Sequence, residues 1–132
     1  MPVVNGTIEN IEIVRANAVT EAQLAFVTFT VAGTYAQADN GTLTDIAEAI
    51  RDSRRDGQLP TILGAVFGQF AEKEAAPGTF MGLKTVAMSS QDVTFEITSS
   101  STIGTYDAST ELANGAVPTQ RQPFGLYVSY IG

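Results

Sequence analysis

The sequence predicts a mainly β domain, an antiparallel β-sandwich or small barrel that carries one short α-helix. About six segments of the 132-residue chain are rich in β-branched and aromatic residues, and several of them alternate apolar and polar side chains as half-buried strands do. Only one stretch has the spacing of an amphipathic helix, and long connections rich in glycine, threonine and serine separate the segments. Residues 1–132 therefore fit a single β-rich domain.

The first predicted strand covers residues 7–14. Ile11 and Ile13 fall on one face of this strand and Glu12 on the other, and the alternation breaks near Asn10. We expect the N-terminal segment, residues 1–23, to form an arm or an edge strand of the domain.

The second predicted strand covers residues 24–31, where apolar residues are interleaved with Thr28 and Thr30. The polar, alanine-rich residues 15–23 before it are expected to form a connection. The buried side chains of this strand are expected to be Leu24, either Phe26 or Val27, Phe29 and Val31.

The helix is predicted over about residues 42–56. Thr42 stands three residues before Asp45. This is the spacing of a capping box, in which the hydroxyl and the acidic side chain each accept a hydrogen bond from the backbone N–H of the other residue. Gly57 supplies the left-handed residue that ends many helices. We expect the helix to lie across one sheet or to close the open end of a sandwich. Its apolar stripe is formed by Leu43, Ile46, Ala47 and Ile50.

Two further segments have strand character in the middle of the chain. Residues 61–70 suit either a strand or a helix by pattern, but Gly64 and Gly68 favour a strand with a bend. Residues 71–82 are predicted to be a loop with a turn at Pro77 and Gly78, and a strand follows over residues 83–88.

Clean alternation over residues 92–98 predicts a strand with Val93, Phe95 and Ile97 inward and Thr94, Glu96 and Thr98 outward. Residues 99–123 form a long polar connection, of a length that usually carries function or contacts a neighbour. Residues 124–131 are predicted to close the chain as a strand with Leu126, Val128 and Tyr130 on one face and Tyr127 and Ser129 on the other.

Composition excludes several classes of function. The chain has no cysteine, histidine or tryptophan, which removes disulfides, Cys/His zinc sites and the Ser-His and Cys-His nucleophile pairs. Acidic residues outnumber basic ones by 14 to 7, and the net charge of -7 argues against nucleic-acid binding. The opening residues indicate no secretion signal, and residues 59–70 are too short to cross a membrane.

Neither catalysis nor metal binding is predicted. Acidic residues such as Asp39, Asp45 and Asp52 lack the alternating spacing of a calcium-binding loop. The glycine pattern of residues 64–68 lacks the Gly-Lys-Ser/Thr ending of a phosphate-binding loop. We therefore expect no enzyme, no catalytic residue and no cofactor.

Two groups of residues are candidates for contact with a partner. Arg51, Arg54 and Arg55 concentrate three of the seven positive charges near the C-terminal end of the predicted helix. They complement the helix dipole and can pair with Glu48 and Asp52, or they can dock on an acidic partner surface. Aromatic residues are enriched in protein interfaces, and the candidates of this type are Tyr106, Tyr127 and Tyr130.

In element order and residue texture, roughly residues 24–131 resemble the small proteins encoded beside the major capsid gene of tailed bacteriophages. The segments that carry the resemblance are VTFTVAGTY (27–35), RRDG (54–57), GLKTVA (82–87), DVTFEIT (92–98) and TELANG (110–115). The resemblance implies a head decoration, or cement, protein. Such a protein is made in the host cytoplasm and sits on the outside of the capsid, where it ties capsomers together.

The expected partners are accordingly the major capsid protein and further copies of this chain, as a dimer or trimer, with no nucleic acid and no membrane. Bridging several capsomers turns modest contacts into high avidity, so no single contact has to be strong. A receptor- or glycan-binding module of a phage tail or fibre is the main alternative. An acidic metal-dependent hydrolase is a third, weaker hypothesis.

Overall fold

The computed structural model describes residues 4–15, 22–54, 58–74, 77–88, 92–100 and 111–132. These residues form eight strands and one helix, which confirms the mainly β fold class. In chain order the elements are β1 (Val4–Arg15), β2 (Gln23–Ala32), β3 (Gly41–Leu43), α1 (Ile46–Arg54), β4 (Thr61–Gln69), β5 (Ala71–Glu72), β6 (Phe80–Met88), β7 (Val93–Ser100) and β8 (Phe124–Ile131).

All eight strands belong to one sheet, in the order β4-β8-β2-β1-β3-β7-β6-β5. Neighbouring strands are antiparallel except β1 and β3, which run parallel with Val4 opposite Gly41. Strand β4 at one end of this order packs against β6 near the other end, and the Thr85 hydroxyl donates a hydrogen bond of 3.1 Å to the Ala65 carbonyl between them. The sheet therefore curls into a nearly closed barrel.

Strand β1 is a central strand, between β2 and β3, and not the arm or edge strand predicted for residues 1–23. Its register against β2 shifts between Ile8 and Asn10, which confirms the break in alternation. The extra residue makes a β-bulge, and it lets Ile8 and Ile11 share one face although they stand an odd number of residues apart.

Strand β2 alternates as predicted, but its buried face differs in part from the expectation. Ala25, Val27 and Phe29 are fully buried, so Val27 rather than Phe26 faces inward. Leu24 and Phe26 share the opposite, partly exposed face, so the prediction of Leu24 as a core residue is wrong. The period of two leaves no choice, because burying Val27 and Phe29 forces their even-numbered neighbours outward.

The helix begins at Ile46, and the predicted cap at Thr42 is wrong. Thr42 lies in β3, where it pairs with Asn5 on one side and Thr94 on the other. Strand pairing on both sides of Thr42 therefore outweighs the capping pattern of residues 42–45. The sequence shows only that local pattern, because the strands that pair with Thr42 are distant along the chain.

Asp45 stands at the start of the helix instead. Its φ of 59° is in the left-handed region, and its carbonyl accepts the hydrogen bond of the Ala49 N–H. Its own N–H donates to the carboxylate of Asp92, just before β7, at 2.9 Å. Ile46, Ala47 and Ile50 form the buried side of the helix as predicted, but Leu43, the first residue of the predicted stripe, is buried from β3 instead. Gly57 lies outside the described residues.

Strand β4 confirms the bent strand predicted for residues 61–70. Its register against β8 shifts twice, between Ile62 and Gly64 and between Phe67 and Gln69. The predicted loop 71–82 is shorter than expected, because β5 pairs with the start of β6. The turn at Pro77 and Gly78 is confirmed, and Gly78 adopts a φ of +88°.

Strand β7 buries Val93, Phe95 and Ile97 as predicted. Thr98 was expected to face outward, but it is fully buried, because the chain near Glu111 pairs alongside it. Strand β8 buries Leu126, Val128 and Tyr130 and leaves Tyr127 exposed, which confirms its predicted faces.

Three phenylalanine rings fill the middle of the barrel. Phe29 lies 5.5 Å from Phe95 and 5.8 Å from Phe124, measured between ring centroids. A Cβ atom at Gly41 would lie 2.5 Å from Cε2 of Phe95. Glycine at position 41 is therefore a requirement of the core, because a methyl group there would displace the ring.

We predict that Gly41→Ala lowers the free energy of unfolding by about 1–3 kcal/mol, because overpacking moves Phe95 off its place in the core. Urea unfolding measures this loss. Gly64→Ala is the matched control, since the added methyl would meet only the Ser129 hydroxyl, at 3.2 Å, on the outer side of the sheet. We expect that variant to change stability by less than about 0.5 kcal/mol. Equal losses in the two variants would contradict the assignment.

Candidate functional site

The outer surface of β2, β8 and β4 carries a group of apolar side chains. Phe26 lies opposite Tyr127, which lies opposite Val66, so these three form one row across the strands. Val66 is 63% exposed and Tyr127 is 38% exposed. We call this group the outer apolar face, and its members are Leu24, Phe26, Leu63, Val66 and Tyr127.

Two glycines leave space for the aromatic rings of this face, Phe26 and Tyr127. The rings of Phe26 and Tyr127 lie 4.8 Å apart with their planes tilted by 45°. A Cβ atom at Gly68 would lie 2.8 Å from the Tyr127 ring, and one at Gly125 would overlap the Phe26 ring. Both rings therefore lie close against the backbone, in positions that a side chain at residue 68 or 125 would block.

The charges beside the outer apolar face are acidic. Glu12 on β1 lies directly opposite Phe26, on the same side of the sheet. Glu9 on the same strand is also exposed. Among the described side chains of β1, β2, β4 and β8, these two glutamates are the charged ones. A partner surface that covers the outer apolar face would therefore contact apolar side chains, with negative charge along the border formed by β1.

The structure separates the aromatic residues predicted to contact a partner. Tyr127 belongs to the outer apolar face, as an exposed contact residue should. Tyr130 is fully buried, so its prediction as a partner contact is wrong, because the strand period that exposes Tyr127 turns Tyr130 into the core. Tyr106 lies outside the described residues.

The arginines of the helix do not form one docking cluster. Arg54 is partly buried, and its Nη1 donates to the Gly132 carbonyl and its Nη2 to the Gln58 carbonyl, both at 2.8 Å. Its guanidinium also lies 5.2 Å from the centre of the Tyr130 ring. The helix end is thereby tied to the end of β8, so Arg54 acts in folding, and its prediction as a partner contact is not supported by its contacts.

Arg51 has a different environment on the same helix. Its Nε lies 3.3 Å from Oδ1 of Asp52, and its side chain is about one third exposed. The predicted pairing with Glu48 is thus replaced by an ion pair with the next residue. Arg55 lies outside the described residues, and so does its predicted pair with Asp52.

Tyr35 closes the other end of the barrel, opposite the helix. Its side chain is fully buried, its N–H donates to the Ala116 carbonyl at 2.8 Å, and its carbonyl accepts from the Gly115 N–H at 2.8 Å. Its hydroxyl donates to Oε2 of Glu111 at 2.5 Å and accepts the Ile97 N–H at 3.3 Å. Burial, followed by the bond to Glu111, raises the pKa of the Tyr35 phenol well above its usual range.

Glu96 on β7 lies close enough to Glu111 for the two charges to interact. Burial and then the negative charge of Glu111 raise the pKa of Glu96, and Lys84 on β6 opposes them. This cluster joins β6, β7, Tyr35 and the chain at residue 111. The separation of its members along the sequence explains why no local pattern predicted it.

The described surface contains no enclosed pocket, and among the described residues no group of three or more acidic side chains is placed to hold a metal ion. The helix in the described part of the chain, nine residues long, is too short to span a membrane. Comparison with models of protein families, with curated proteins and with solved structures found no match to this chain.

Sequence reasoning identified Tyr127 but missed Phe26 and Val66. The signal for Phe26 was present, because alternation anchored on Val27 and Phe29 places it outward. Val66 could not be found in this way, since the two bulges of β4 change which residues share a face.

We predict that Arg54→Met lowers the free energy of unfolding by about 1–3 kcal/mol, because two carbonyl groups lose charged hydrogen-bond donors. Thermal or urea unfolding measures the loss. Arg51→Met on the same helix is the matched control and should change stability by less than about 0.5 kcal/mol, because its ion pair is exposed. If the two variants are equally stable, Arg54 does not anchor the helix.

We predict that Tyr35→Phe also destabilises the fold by about 1–3 kcal/mol. The buried Ile97 N–H loses the hydroxyl oxygen that accepts it, and Glu111 loses a donor. Tyr127→Phe removes the same atom from a partly exposed ring and should have little effect on unfolding. A Tyr35→Phe variant as stable as the wild type would contradict a role for this hydroxyl in closing the barrel.

Proposed function

We propose that this protein is a structural component of a tailed-phage head, which binds the outside of the capsid through its outer apolar face. The observation that carries the proposal is the row formed by the partly exposed Phe26 and the exposed Tyr127 and Val66. Contiguous apolar surface is uncommon on proteins that work alone, and aromatic side chains held in place dominate the energy of many interfaces.

The seating of the rings supports binding to a protein surface. Because Gly68 and Gly125 hold Tyr127 and Phe26 close to the backbone, little side-chain freedom remains to be lost on binding. A broad, slightly curved wall of a barrel also suits contact with another folded surface. The partner proposed here is the major capsid protein, as the resemblance of residues 24–131 implies.

The charges at the border restrict what the partner can present. Glu12 adjoins the aromatic row, so a partner surface with an apolar centre and a basic or uncharged margin fits this face. A capsid offers many copies of one such surface. If this chain is a dimer or trimer, each oligomer binds several copies at once, and weak individual contacts give stable attachment.

The proposal is tested by binding Val66→Glu and Val117→Glu variants to capsids that lack the protein. Val117 is 61% exposed in the segment between the Tyr35 end and β8, so it matches Val66 in residue type and exposure. We expect Val66→Glu to weaken binding at least tenfold, because a charge would be buried in the interface, and Val117→Glu to bind like the wild type. Co-sedimentation with capsids measures both, and thermal unfolding confirms that each variant is folded.

The number of copies per particle distinguishes capsid decoration from tail adhesion. A quantitative gel of purified particles, scaled against the major capsid protein, should give hundreds of copies. A few copies per particle would favour the receptor- or glycan-binding tail module instead. Absence from mature particles would overturn the proposed role. Binding of Val66→Glu as strong as that of the wild type would overturn the proposed face.

A further inference from the structure

Asparagine followed by glycine occurs three times in the chain, at Asn5–Gly6, Asn40–Gly41 and Asn114–Gly115. Asparagine is one of the thermolabile residues. A glycine after it increases the lability, because no side chain keeps the glycine nitrogen away from the asparagine carboxamide. The three pairs have the same reacting atoms, so their surroundings in the fold decide which of them reacts.

Deamidation of such a pair proceeds in two steps. The glycine nitrogen attacks Cγ of the asparagine, a C–N bond forms that closes a succinimide ring, and the carboxamide nitrogen leaves as ammonia. Water then adds to one of the ring carbonyls, and one C–N bond of the ring breaks. The product is aspartate when the new C–N bond breaks, and isoaspartate when the original peptide bond breaks.

The pair Asn5–Gly6 is held inside the sheet. Both residues belong to β1, a central strand, and Asn5 lies opposite Ala32 of β2 and Thr42 of β3. A Cβ atom at Gly6 would lie 2.7 Å from Cδ1 of Leu43, so the backbone has little room to move. Ring closure here requires a backbone rotation that would break strand pairing on both sides of β1.

The pair Asn40–Gly41 is restrained in a similar way. Gly41 is buried and lies opposite Val4 of β1 on one side and Phe95 of β7 on the other. The Asn40 N–H donates to the Ala36 carbonyl at 2.9 Å. Because a Cβ atom at Gly41 would lie 2.5 Å from the Phe95 ring, rotation of the backbone at this pair would disturb the core.

The pair Asn114–Gly115 lies in an exposed turn instead. Both residues are exposed, and the Ala116 N–H donates to the Ala113 carbonyl across the turn at 3.2 Å. Gly115 has a φ of +85°, and a Cβ atom there would have no described atom within 4 Å. The surroundings therefore leave space for a succinimide ring, and no strand has to separate for the ring to form.

Hydrogen bonds to residues 35–37 hold this turn on the barrel. The Gly115 N–H donates to the Tyr35 carbonyl at 2.8 Å, and Oδ1 of Asn114 accepts the Gln37 N–H at 2.7 Å. These bonds keep both reacting groups engaged with other partners. They can break in a local opening that leaves the core buried, and such an opening requires less free energy than the separation of central strands.

We propose that Asn114–Gly115 is the deamidation site of the folded protein, and that isoaspartate formed there loosens the closure at the Tyr35 end of the barrel. Isoaspartate adds a methylene group to the backbone of the turn. The longer backbone displaces Gly115 and Ala116 from their hydrogen bonds with Tyr35. Aspartate keeps the original backbone and an oxygen that accepts the Gln37 N–H. The inference depends on the fold alone and is independent of the proposed capsid role.

Mass spectrometry of the aged protein tests the site. Folded protein, and protein unfolded in guanidinium chloride, are incubated in parallel in mildly alkaline buffer. Trypsin then separates the three pairs into different peptides, because Arg15, Arg51 and Lys84 lie between them. In the folded protein we expect the Asn114 peptide to deamidate at least about tenfold faster than either other peptide. In the unfolded protein the three rates should be similar, because the fold no longer restrains any pair.

The pairs Asn5–Gly6 and Asn40–Gly41 are thus internal controls. If either reacts in the folded protein as fast as Asn114, the assignment of the site is overturned. Reaction of Asn114 in the unfolded protein but not in the folded one would overturn it as well, since the turn would then protect its pair as fully as the strands protect theirs.

Hydrogen exchange of the Tyr35 amide tests the consequence, because this N–H donates to the Ala116 carbonyl. We expect protein with isoaspartate at position 114 to lose several-fold of the protection of this amide. Asn114→Asp is the matched control, since it has the same charge without the longer backbone, and it should keep wild-type protection. Asn114→Ser cannot deamidate at this position and should be unchanged by the same incubation. Full protection in the isoaspartate form, or an equal loss in Asn114→Asp, would contradict the proposed loosening.

Discussion

Contact between Phe29 and Phe95 makes the sheet a barrel, because these rings belong to strands that are not neighbours. β1 and β3 lie between β2 and β7 in the sheet order, and strands three positions apart in a flat sheet are separated by about 14 Å. The ring centroids are nevertheless 5.5 Å apart, and Phe124 packs on Phe29 from β8. Burial of these rings thus requires the curl, and glycine at positions 6 and 41 leaves space for them.

The outer apolar face is the reverse side of the same strands. Once Val27 and Phe29 are committed to the core, Phe26 has to lie outside, where it meets Tyr127 of β8. The core and the proposed docking surface therefore share one backbone register. A change that slips β2 by one residue would lose both together, which ties the capacity to bind to the correctness of the fold.

Local patterns predicted most of the strands but only one residue of the outer apolar face, Tyr127. The alternation around Phe95 and the apolar spacing of Ile46, Ala47 and Ile50 were sufficient, because each reports a burial pattern inside one element. Thr42 misled the prediction, since its place in β3 depends on strands distant in sequence. The bond between Tyr35 and Glu111 spans 76 residues, so no spacing rule could indicate it.

The two ends of the barrel are closed by different chemistry. At the helix end, Arg54 donates to backbone carbonyls, and neither a guanidinium nor a carbonyl changes protonation over ordinary pH. At the Tyr35 end, the Tyr35 hydroxyl donates to Glu111 and accepts the Ile97 N–H, so a neutral phenol and a carboxylate replace the guanidinium. The wall that carries the outer apolar face runs between these ends and is held by strand pairing.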